Sequence, residues 1–195
     1  MKNIFLISFI FTLIFCKSQQ VYPLHTDDKM DLPSGSYFKD LNGELNPYIG
    51  LWKGDWNGKT VYLQLKKIKY LSGNVTDPHY IYWDMIVGER KIINADGSIS
   101  IDRITNFDDL KSEFRGIYKK FDASQSPQIK FYPKNMCGKG ANLDVVFLDA
   151  GKTQMSLHFS YIPNAISSSC PYYNSVMQGG EFPMNFPVDI VLTKQ

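Results

Sequence analysis

The residues with the most evident chemical potential lie on one short stretch, Ser156-Leu157-His158-Phe159-Ser160, where an imidazole has a hydroxyl two residues away on each side. Residues two apart on a strand share a face, so a base stands beside two candidate nucleophiles. Acyl transfer also needs a group that orients the base and a sharp turn that exposes the nucleophile. Neither accompanies this stretch. His25 and His79 are far from it in sequence, and no Cys-x-x-Cys spacing suggests a metal site. Asp27-Asp28, Asp31, Asp108-Asp109, Asp144 and Asp149 are too dispersed for a calcium loop. Gly138-Lys139-Gly140 lacks the remainder of a phosphate-binding loop. The expectation is a protein that is not an enzyme, with no cofactor and no metal.

Three cysteines carry the next signal. Cys16 ends an apolar run, Ile4 to Phe15, that follows Met1-Lys2-Asn3 and is itself followed by Lys17-Ser18-Gln19-Gln20. A basic start, about a dozen apolar residues and a polar exit make a signal peptide, and the run is shorter than the roughly 20 residues a spanning helix needs. Residues 1–18 are therefore read as the leader. Leu13-Ile14-Phe15-Cys16 resembles a lipobox, in which the cysteine is acylated and becomes the new N-terminus; an ordinary cut after Ser18 is the alternative. Without Cys16, Cys137 and Cys170 form an even pair in a chain bound for an oxidising compartment, and a disulfide between them is expected.

Charge narrows the partners. The formal net charge is +2, and cleavage before Cys16, with loss of Lys2, leaves 20 basic residues against 19 acidic. Neutralising a phosphate backbone takes clustered Lys and Arg, and Lys66-Lys67 and Lys119-Lys120 are short and separate. Nucleic acid is not an expected partner, and the membrane is expected only through a lipid on Cys16.

The elements that must hold these residues read as strands. Turn residues interrupt 19–47, which is taken as an extended N-terminal segment with one candidate helical turn at 37–41. From residue 48 to 195 a single β domain is expected. Strands at 51–56 and 60–68 flank Asn57-Gly58, a dipeptide suited to a type I′ turn. An aromatic strand at 79–87 precedes a hairpin of 90–94 and 98–103, and strands at 114–121 and 128–132 pair next. A meander of 143–148 and 153–161 and a last strand from Val188 complete the pattern. The fold class is all-β, an antiparallel meander of about eight to ten strands. It forms a barrel, or alternatively a sandwich.

The leader ending in Cys16-Lys17-Ser18-Gln19-Gln20, the following Tyr22-Pro23-Leu24, and Pro47-Tyr48-Ile49-Gly50-Leu51-Trp52 resemble a family of exported Bacteroidota proteins of unknown function. Gly50-Leu51-Trp52 is also similar to the Gly-x-Trp entry of lipocalins and related calycin barrels, which implies a closed barrel with the tryptophan at its base. An eight-stranded barrel is just wide enough to pack solid or to hold one small ligand. Trp52, Trp56, Tyr62, Tyr80, Tyr82, Trp83, Phe159 and Tyr161 are the aromatic residues expected to line such a pocket. The leading functional expectation is an exported, lipid-anchored or soluble envelope module that binds a small apolar or aromatic ligand. Second is a protein-interaction module using a strand edge or the loop between Pro163 and Pro187, and third an envelope hydrolase. Protein recovered from an envelope fraction should have an intact mass that begins at an acylated Cys16; a free N-terminus at Gln19 would instead establish the ordinary cut.

Overall fold

The computed structural model describes residues 19–24, 26, 32–119, 127–134, 136–162, 166–183 and 185–195. The leader expected at 1–18 with Cys16, as well as His25, Asp27-Asp28, Asp31 and most of the turn expected at 122–127, lie outside the described residues. Strands run β1 Val21–Pro23, β2 Tyr37–Lys39, β3 Gly50–Trp56, β4 Lys59–Ser72, β5 Ile81–Ile93, β6 Ile99–Asp102, β7 Phe114–Lys119, β8 Pro127–Phe131, β9 Ala141–Phe147, β10 Gln154–Tyr161 and β11 Asp189–Lys194. Two units hold them, Met1–Asn42 with Lys69–Asp84, and Gly43–Ile68 with Met85–Gln195.

The larger unit is a closed antiparallel barrel. Hydrogen-bonded neighbours follow the order β5-β4-β3-β11-β10-β9-β8-β7, and β7 returns to β5 through Val87↔Arg115 and Gly88↔Phe114. Its first hairpin turns where the sequence places it, with Asn57 at φ 51° and Gly58 at φ 79°, the left-handed values a type I′ turn needs. Alternation then sorts side chains. Val61, Leu63 and Leu65 on β4, Leu143 and Val145 on β9, Met155, Leu157 and Phe159 on β10, and Ile190 and Leu192 on β11 are all buried. The register places Met155 opposite both Phe147 and Leu192, so adjacent strands supply layers of one core.

Two glycines show how full that core is. A Cβ at Gly88 would lie 2.5 Å from Leu65 Cδ2 and 3.1 Å from Phe114 Cβ, and one at Gly54 would lie 2.7 Å from Leu192 Cδ2. Both positions face inward, and neither has room for a methyl group. Gly88 also corrects the strand reading: 79–87 and 90–94 are parts of one 13-residue strand, β5, because a glycine here marks close packing and not a break.

The smaller unit holds β1, β2 and the portions of β4 and β5 between Lys69 and Asp84. β1 pairs β2 in parallel, and β2 pairs β5 in parallel through Tyr37↔Tyr82 and Phe38↔Trp83. The helical turn expected at 37–41 is thus a strand. Alternation of half-exposed Tyr37 and buried Phe38 suits a two-faced sheet, and Tyr82 N–H donates to Ser36 O at 2.8 Å. Two short stretches of the segment read as extended, Val21–Pro23 and Tyr37–Lys39, therefore have sheet partners. A short 3-10 turn, Asp109–Lys111, precedes β7, capped by the Asp108 carboxylate accepting from Leu110 N–H at 3.0 Å.

Cys137 and Cys170 are bonded to one another, Cα atoms 5.6 Å apart, as their sequence context predicts. The bond pins the long loop after β10. Phe186 re-enters the barrel from that loop, fully buried against Phe114, Phe131 and Phe159, with ring centroids 5.3–6.5 Å away.

Charge is also buried in the larger unit. Arg90 and Glu113 are 1% and 2% exposed and joined Nε to Oε2 at 2.8 Å, and the guanidinium lies 4.9 Å from the Phe131 ring centroid and donates to Asn185 O. Glu113 Oε1 accepts from Lys134 N–H at 2.9 Å. Glu89, 1% exposed, has Arg103 Nε at 3.4 Å and Lys134 Nζ at 3.7 Å. Burial first, and then repulsion from Glu113, raise the Glu89 pKa above 4.5, against the pull of Lys134 and Arg103.

Two outcomes follow. Gly88→Ala should cost about 1–3 kcal/mol from overpacking, read as a lower denaturant midpoint. Between pH 4.5 and the raised Glu89 value, the native state keeps a proton that the unfolded chain has lost, so stability falls as pH rises through that window. Midpoints measured against pH should lose that slope in Glu89→Gln; an unchanged slope would assign it elsewhere.

Candidate functional site

The expected pocket residues separate into three settings. Trp52 is fully buried in the barrel, where its indole Nε1–H donates to Tyr48 O at 2.8 Å. Phe147 packs beside both Tyr48 and Trp52, with centroids at 5.0 and 6.4 Å. Lys194, on the last strand, lies 5.2 Å from the Trp52 ring and donates to Pro47 O at 3.1 Å. Every face and the one polar atom of this indole are occupied by protein. Burial pushes the neighbouring Tyr48 phenol pKa up. Phe159 belongs to the Phe114, Phe131 and Phe186 cluster, 6.2 Å from Phe131.

Tyr161 follows Phe159 on β10 and fastens the long loop. Its hydroxyl donates to Pro183 O at 2.7 Å, its ring meets Phe182 edge-on at 5.6 Å, and Phe182 meets Tyr172 at 5.4 Å. Trp56 and Tyr62 are half-buried on the first hairpin, with Lys59 and Lys53 over their rings at 5.3 and 5.9 Å.

Tyr80, Tyr82 and Trp83 lie in the smaller unit, and their neighbours give that unit the densest half-exposed aromatic surface. Register puts Tyr37, Tyr80, Tyr82 and Asp84 on one sheet face, while Tyr22, Phe38 and Trp83 occupy the other. On the first face Lys69 Nζ sits 4.3 Å from the Tyr37 centroid and 4.4 Å from that of Tyr82, and donates to Gln19 Oε1 at 2.7 Å. Tyr37 O–H donates to Asp84 Oδ1 at 2.5 Å, and Asp40 N–H donates to Asp84 Oδ2 at 2.9 Å. Burial and then the Asp84 hydrogen bond push the Tyr37 pKa up to about 12, so its phenol stays protonated and holds this corner rigid. On the opposite face Trp83 packs 6.4 Å from Tyr70, and Tyr22 lies 5.9 Å from Phe38. Gln19 Nε2 donates to Gly35 O at 2.7 Å, fixing the start of the described chain to the same unit.

His158 acquires a partner that the sequence does not reveal. Its Nδ1 is 2.7 Å from Asp189 Oδ1, across the β10–β11 pair, with Asp144 opposite it on β9. The signal lies in the register, 31 residues away along the chain. An Asp–His couple can orient an imidazole, but no hydroxyl hydrogen-bonds to His158 among the described residues, and the pair is exposed. It completes no nucleophile relay. Among the described residues, no three or more His, Cys, Asp or Glu are placed to hold a metal ion. The Glu89, Arg90 and Glu113 cluster was absent from the sequence expectations; its one sequence signal is the charged Glu89-Arg90-Lys91 between the apolar Met85-Ile86-Val87 and Ile92-Ile93.

Neither a curated protein nor a solved structure matches the chain. A family model described as "Family of unknown function (DUF6705)" matches residues 1–195, so over its whole length the chain belongs to that family.

Proposed function

We propose that the protein is an exported, lipid-anchored and non-enzymatic binding module of the cell envelope, whose ligand is small and apolar or aromatic and is taken up on the aromatic sheet of the smaller unit. The half-exposed cluster of Tyr37, Tyr80 and Tyr82 with Lys69, on one face of that sheet, carries this reading. Tyrosine and tryptophan offer large rigid contact area with a polar handle, and aromatic residues in this number are commonly drawn into a core; here they stay at the surface of a small sheet.

The barrel is better suited to support than to storage. Its inward positions at Gly54 and Gly88 are already crowded, Trp52 is fully contacted, and Phe186 fills the aromatic cluster. Envelope location is supported by the leader and by Cys16 in the sequence, together with a cysteine pair at bonding distance that suits an oxidising compartment.

A second reading, a protein-interaction module, draws on the long loop. From Phe159 to Gly180 there is no Asp, Glu, Lys or Arg, and Met177 is 66% exposed on the short helix Tyr173–Met177. A disulfide and two edge-on aromatic contacts hold that uncharged surface in place.

Anilinonaphthalene sulfonate, an aromatic probe of exposed apolar sites, should bind saturably, with the enhancement lost in Tyr80→Ala/Tyr82→Ala at unchanged thermal stability. Full retention in that variant would remove the smaller unit from consideration, and loss in Phe186→Ala alone would return the site to the barrel.

A further inference from the structure

The anchor and the fold together fix how far the protein stands from its membrane. Gln19 is held by two side-chain hydrogen bonds, to Gly35 O and from Lys69 Nζ, each 2.7 Å, and Gln20 O accepts from Tyr37 N–H at 2.8 Å. Gln19 is thus fixed to the smaller unit. Only Lys17 and Ser18 separate it from Cys16. Three residue steps span about 10 Å at full extension, comparable to the roughly 5–8 Å depth of one headgroup layer. An acyl chain on Cys16 leaves no space for a solvent gap.

We infer that the aromatic sheet face around Gln19 lies against the phospholipid headgroups, with the bilayer interface as its occupant. This rests on the lipid anchor proposed above and names the apolar ligand of the same site as lipid. The leash ends on the residue that Lys69 holds, and Lys69 in turn touches the rings of Tyr37 and Tyr82. These rings therefore stand beside the point where the leash meets the fold. Their chemistry fits the position: tyrosine and tryptophan concentrate at membrane–water interfaces, where an apolar body and a polar tip are both satisfied. Val21, 49% exposed two residues beyond Gln19, adds apolar surface at that edge. A short leash also supplies an effective concentration in the millimolar range, so a face too weak to capture free vesicles still stays engaged.

The test uses the full chain, expressed with its own leader, purified from the envelope in detergent and reconstituted into phosphatidylcholine vesicles with a nitroxide on part of the headgroups. Tyr82→Trp introduced over Trp83→Phe serves as reporter, read against Trp83→Phe alone. The reporter's added emission should be mostly quenched, and a flexible insert of 20 Gly/Ser residues between Ser18 and Gln19 should restore it. Acylated protein with an unquenched reporter, or quenching that the insert leaves unchanged, overturns the inference and leaves the anchor standing. An intact mass beginning at Gln19 overturns the anchor and the inference together. Circular dichroism of each variant confirms that the reporter sits in a folded sheet.

Discussion

At the junction of β5 and β7, Gly88 stands opposite Phe114 while Leu65 reaches in from β4. The ring of eight strands closes there, and its circumference is set by how near those backbones approach. A side chain at 88 would hold β5 away from β4 and β7 and open the circuit. With glycine, the inward layers contract until Leu63, Leu143, Leu157 and Phe131 exclude water completely. Tight closure and a filled interior are two consequences of one steric condition.

Such a core tolerates charge only on strict terms. Arg90 enters it beside Gly88, and a buried guanidinium without a partner would cost several kcal/mol. Glu113 neutralises it, the Phe131 and Phe186 faces receive its plane, and Asn185 O accepts a further N–H hydrogen bond. Through Asn185 and Phe186 the same arginine draws the end of the long loop into the barrel, while the Cys137–Cys170 bond holds its beginning. Glu89, one residue earlier and on the other face, has looser partners: its cations stand at 3.4 and 3.7 Å and are themselves partly in solvent. Burial therefore wins over their pull and raises its pKa.

Local chemistry made much of the fold legible. Asn57-Gly58 announced its turn through a left-handed requirement few residues meet, and strict alternation from Met155 to Tyr161 gave β10 its inner face. What stayed hidden depended on register between distant segments. The Asp189 partner of His158 comes from a strand 31 residues on, and Glu113 meets Arg90 from 23 residues away. Gly88 read as a break because a glycine in a strand looks alike whether the chain stops or is merely crowded. The 37–41 segment read as a helical turn because a three-residue strand carries too little periodicity to outvote its surroundings. Sequence composition could not assign the aromatic set to places: Trp52 and Phe159 build the core, whereas Tyr80, Tyr82 and Trp83 lie on the other unit.

The docking of Gln19 bears on the proposed anchor. Cleavage before Cys16 and cleavage after Ser18 would both leave Gln19 in the mature chain, so its hydrogen bonds to Gly35 and Lys69 would survive both. The fold would be indifferent to the choice and the proposed function would not, because the two products would differ in whether a lipid lies within about 10 Å of Gln19. With the anchor, a leash this short would make the N-terminal segment part of the proposed binding surface instead of a spacer. Lys69 is the hinge of that argument: one ammonium ties the first folded residue to two tyrosine rings, and so couples the point of attachment to the face that would do the binding.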